Sequence, residues 1–81
     1  MTKKKTCKYE VVAVYEGENI MTACAKSLPD ARKIVKTKAL PKMRRKEEAS
    51  DAFIEIRKLG KYKYGDFDSV ENLYPDEIWE G

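Results

Sequence analysis

An apolar run rich in β-branched and aromatic side chains occupies residues 8 to 16, Lys-Tyr-Glu-Val-Val-Ala-Val-Tyr-Glu, and predicts a strand that ends at Gly17. A second strand follows at Asn19 to Ala25. With Gly17 and Glu18 as a two-residue turn, Tyr15 faces Ile20, Val14 meets Met21, Ala13 faces Thr22 and Val11 faces Cys24. Both faces of this hairpin are then partly apolar, and each needs cover. Ser27-Leu28-Pro29-Asp30 is a helix-start signature, with Ser27 able to accept from the backbone at Asp30 and proline tolerated in the first turn. Leu28, Ala31, Ile34 and Val35 repeat at the three-and-four spacing of one helical face, while Arg32, Lys33 and Lys36 fall away from it. The helix should weaken before Pro41, leaving Lys42 to Asp51 as a charged loop or a short second helix.

Ala52 to Leu59 alternates as a strand, with Ala52, Ile54 and Ile56 on one face. Gly60 and Lys61 can turn the chain into a fourth strand, Tyr62 to Phe67, pairing Ile54 with Phe67 and Arg57 with Tyr64. That register sets Glu55 against Asp66 and Lys58 against Lys63, which is unfavourable. Asp68 or Ser69 can cap a short helix through Tyr74, halted by Pro75. The expectation is an α+β fold: a small antiparallel sheet of three to four strands with one main helix packed on one face. A single domain spans 1–81, with a basic N-terminal tail (1–7), a core (8–67) and an acidic aromatic C-terminal segment (68–81).

Composition narrows the chemistry. The 81 residues include no histidine, which removes the commonest neutral-pH general base and metal ligand, and the two cysteines, Cys7 and Cys24, form no C-x-x-C pair. The basic start lacks an uninterrupted apolar stretch, so the chain reads as cytoplasmic, with both cysteines free thiols and Cys24 a small core residue. Asp66, Asp68 and Glu71 lack the spacing of a calcium loop and read as loop and cap residues. The expectation is a non-enzymatic protein without cofactor, metal or membrane partner.

Charge is divided along the chain. All 17 Lys and Arg lie in residues 1 to 64 beside eight acids, whereas residues 65 to 81 hold six acids and no base. Lys26 to Lys46 carries nine cations against Asp30 alone, a density that attracts phosphates or an acidic protein surface. A solvated helix face screened by the acidic tail is the plainer alternative. The candidate partner-binding residues are Arg32, Lys33, Lys36, Lys42, Arg44, Arg45 and Lys46, with the aromatics Tyr62, Tyr64, Tyr74 and Trp79. Tyr62 and Tyr64 interleave with lysines as a base-stacking surface would, or pack against Arg57 and Leu59. Trp79 either folds back over the second apolar face of the sheet or anchors a partner.

The succession of hairpin, Ser27-Leu28-Pro29-Asp30-Ala31-Arg32 helix and third strand, over residues 8 to 59, resembles the short β-β-α-β proteins of phages and mobile elements, a group that includes some anti-CRISPR inhibitors. The resemblance implies a non-catalytic binder of host machinery. The leading expectation is therefore a small interaction module or inhibitor that docks on a larger protein or nucleoprotein. A nucleic-acid-binding regulator using residues 32–46 is the alternative, and a homodimer through an uncovered sheet face the third.

Overall fold

The computed structural model describes residues 7–59 and 67–80. Four strands form one antiparallel sheet: β1 (Tyr9–Tyr15), β2 (Glu18–Ala25), β3 (Ala52–Leu59) and β4 (Phe67–Leu73), in the spatial order β2-β1-β3-β4. Between β2 and β3 runs one main helix, made of α1 (Leu28–Ile34), a π-helical segment (Val35–Ala39) and α2 (Leu40–Arg44). The expected α+β fold is present.

The helix starts where its cap dictates, with Ser27 Oγ accepting from Asp30 N at 3.3 Å. It does not stop before Pro41. Leu40 N–H bonds to Val35 O, five residues back, and the helix continues through Pro41 directly after this wide turn. The same wide turn serves the core. Ala31, Val35, Ala39 and Met43 are all buried at a spacing of four, which on a regular α-helix drifts by about 40° per step. Bonding to the fifth residue instead of the fourth offsets that drift and holds the stripe over the sheet.

Under the stripe lie Val11, Ala13, Ala25, Ala52, Ile54 and Ile56, so the alternation of β3 faces inward as expected. The hairpin register differs from expectation. Glu16 (φ 50°) and Gly17 (φ 83°) are the two central turn residues, both left-handed, which matches the twist of the strands. The turn thus falls one residue earlier, and a bulge leaves Ile20 unpaired, giving Val14↔Asn19, Ala13↔Met21, Val12↔Thr22 and Val11↔Ala23.

The fourth strand is also shifted. Leu59 pairs with Phe67, Arg57 with Ser69 and Ile54 with Leu73, so the strand lies at Phe67–Leu73 rather than Tyr62–Phe67. Electrostatics accounts for the choice: Lys58 now faces Asp68 and Glu55 faces Asn72, replacing two like-charge pairs. Neither Asp68 nor Ser69 caps a helix. Pro75 instead precedes one, a π-helical turn at Asp76–Glu80, with Ile78 N donating to Tyr74 O at 3.0 Å. Glu77 Oε1 in turn accepts from Tyr74 N at 3.0 Å.

Two further expectations are corrected. Cys7 and Cys24 are joined as a disulfide, Cα–Cα 5.4 Å, because Tyr9 pairs with Ala25 and the hairpin brings the chain before β1 against the end of β2. The free thiols expected of a reducing compartment are therefore not what the structure shows. The tail does fold back, but onto the helix side, where Ile78 is fully buried with Met43 and Ile54. The opposite face is closed by its own charges: Val12 is 1% exposed there, flanked in register by Thr22 and Glu55. Arg57 bonds Glu55 at 2.9 Å and approaches Glu10 at 3.7 Å across that surface.

Candidate functional site

The basic run of the sequence becomes the outer surface of the helix, and its rotation sorts the cations into groups with different neighbours. Arg32 faces β4, where its guanidinium pairs with the Glu71 carboxylate. That hydrogen bond first, and the charge of Glu71 second, raise the Arg32 pKa against a small opposing desolvation. With Val35, Leu40, Ile56 and Leu73 this pair lines a small, mainly apolar cleft of about 230 Å³, rimmed by Lys36. Lys33 and Lys36 stand exposed beside Pro29 on the outer shelf.

On the other side of the helix, Lys38, Lys42 and Arg45 form a stripe at spacings of four and three. With Thr37 and Pro41 they wall a cleft of about 560 Å³ whose other wall is Ile20, Met21, Thr22 and Ala23 of β2. Among the described residues, no carboxylate lines it. A second hollow continues it past Ile20, Lys42, Arg45 and Lys46. Because β2 is an edge strand, this cleft opens along a line of backbone groups without a sheet partner among the described residues.

The end of the helix is occupied by internal contacts. Arg44 Nε donates to Ile78 O at 2.5 Å, and Trp79 Nε1 donates to Lys46 O at 3.1 Å. The Trp79 ring meets Tyr15 edge to face, centroids 6.4 Å apart, and the Lys46 ammonium lies 5.1 Å from the Tyr15 centroid. Tyr15 OH donates to Glu47 O at 2.8 Å, and burial, followed by the charges of Glu16 and Glu47, pushes the phenol pKa up. Trp79 therefore cements the tail to the helix end, neither covering the second sheet face nor projecting as a free anchor.

The predicted residues thus separate. Lys42, Arg45 and Lys46 come together at the carboxylate-free cleft; Arg32, Lys33 and Lys36 sit on the opposite flank and shelf; Arg44 and Trp79 belong to the packing of the tail. Tyr74 is 55% exposed and lines, with Val14 and Phe53, a separate hollow that shares no residue with the cationic cleft. Tyr62 and Tyr64 lie outside the described residues. The sequence reading left out Lys38, Ile20 and Met21. Lys38 was discoverable from its spacing to Lys42 and Arg45, whereas the β2 wall depended on which strand became the edge.

Among the described residues, no three His, Cys, Asp or Glu side chains gather as a metal site, and no helix is long and apolar enough to cross a membrane. Compared with known proteins, the chain matches no family model, no curated sequence and no solved structure.

Proposed function

We propose that this chain is a non-catalytic interaction module that docks on an acidic surface of a larger protein through the cleft between β2 and the helix. One observation carries the reading: Lys38, Lys42 and Arg45 share a wall with no carboxylate among the described residues, facing an apolar wall of Ile20, Met21 and Ala23. Exposed cations of this kind set approach and partner choice, each pair contributing about 0.2–1 kcal/mol, while the apolar wall supplies area to bury. Occupying a surface of its partner is also the mode that the resemblance to host-directed β-β-α-β inhibitors implies. Nucleic acid fits the charge of the cleft but not its apolar wall, which offers phosphates nothing.

Fluorescence anisotropy with labelled poly-glutamate and a 20-base-pair DNA duplex, from about 20 to 300 mM salt, tests the proposal. The expected result is salt-sensitive binding of the acidic polypeptide that falls at least tenfold in the Lys42→Glu/Arg45→Glu variant. Tighter binding of DNA at matched salt, or polypeptide binding indifferent to the two substitutions, refutes it.

A further inference from the structure

The two edges of the sheet are unlike. Edge strands invite pairing with another chain, and proteins guard them with charges, proline or bulges. The β4 edge, Phe-Asp-Ser-Val-Glu-Asn-Leu, carries Asp68 and Glu71 and a bulge. Along β2, by contrast, every residue from Asn19 to Ala25 is uncharged. Its bulge is closed locally, since Asn19 Oδ1 accepts from Met21 N and from Thr22 Oγ1, both at 3.2 Å. Beyond it, Thr22 to Ala25 runs on as an uncharged edge in regular register with β1, and the cleft stands open beside it.

We infer that β2 is a docking edge for an extended, acidic segment of the partner, which adds to the sheet as a fifth strand outside β2. This rests on the reading above and specifies its geometry. An added strand lies about 4.8 Å from β2, with alternate side chains pointing to the helix side of the sheet. There they meet Lys38, Lys42 and Arg45, so acidic residues at every second position are the matching chemistry. The backbone selects a peptide over a nucleic acid. A strand edge offers N–H and C=O groups in alternation, and a phosphate chain, having acceptors only, leaves the carbonyls opposed by anions. Charge selects against a second copy of this chain: antiparallel pairing of two β2 edges is isologous and brings the two cationic stripes to the same side of one continuous sheet.

The test uses a labelled ten-residue (Glu-Val)5 peptide, a copy methylated at every backbone nitrogen, and amide hydrogen exchange read by NMR on the full chain. The expected outcome is binding of the first peptide, at least tenfold weaker binding of the methylated copy, and slowed exchange at alternate amides within Thr22–Ala25. Binding should fall at least tenfold in Lys42→Glu/Arg45→Glu and about two- to thirtyfold in Lys42→Ala/Arg45→Ala, each checked for an unchanged circular dichroism spectrum. Equal binding of the two peptides, with both variants impaired, overturns strand addition and leaves the cationic docking surface standing. Binding unaffected by either variant overturns the docking surface itself. Failure of (Glu-Val)5 to bind while poly-glutamate binds, or a dimer mass by light scattering of the free protein, likewise overturns the fifth strand as drawn.

Discussion

Ile78 is the residue on which the status of the C-terminal segment turns. It is fully buried among Met43, Ile54 and the other core side chains, and its carbonyl accepts from Arg44. Replacing it with alanine removes three carbons, worth about 2.4 kcal/mol at roughly 0.8 per methylene. The cavity left behind adds to this, since neighbours held on strands and helix relax only in part, so the expected loss is about 3–4 kcal/mol. A chain of this length has a total stability of roughly 4–12 kcal/mol, so the variant forfeits about a quarter or more of it. Its thermal midpoint should drop by roughly 12–30 °C. Urea denaturation followed by circular dichroism and by the fluorescence of Trp79, the single tryptophan, measures the change directly. The slope against urea should stay constant while the midpoint moves, and exposed Glu80→Ala should stay within about 0.5 kcal/mol of the parent. A loss below about 0.5 kcal/mol for Ile78→Ala refutes the account, because the tail would then be an appendage rather than part of the core.

Two other perturbations follow from the same contacts. Cys24→Ser opens the bond to Cys7, a separation of 17 residues, and should cost about 3 kcal/mol of stability in the chain-entropy account; dithiothreitol should lower the urea midpoint of the parent and leave the variant unmoved. Because the Tyr15 phenol titrates higher in the folded protein than when unfolded, its contribution is complete below about pH 10 and is lost as pH rises through the folded value. Tyr15→Phe should therefore flatten the fall of stability in that alkaline window, and an unchanged slope argues against the contact with Glu47.

What could be read from the residue order alone was whatever depends on near neighbours in the chain. The alternation Ala52, Ile54, Ile56 needs only the two-residue period of a strand, and the Ser27 cap needs only a hydroxyl three residues before an N–H. The basic run is likewise a local property, visible before any folding. Tertiary structure decided what depends on partners distant in the chain. The fourth strand settled five to six residues later than local turn geometry suggests, because cross-strand pairing sets Lys58 against Asp68. Pro41 ended no helix, since a wide π turn lets the buried stripe continue to Met43 over the sheet. The Cys7–Cys24 bond depends on hairpin closure, and the seat of Trp79 on the Lys46 carbonyl depends on a contact 33 residues apart. The candidate site divides the same way: sequence supplies nine cations, but only helix rotation and the placing of β3 beside β1 put Lys38, Lys42 and Arg45 next to an open strand edge. Such edges are defined by which pairings the rest of the sheet has already used, a global outcome that no short window of residues contains.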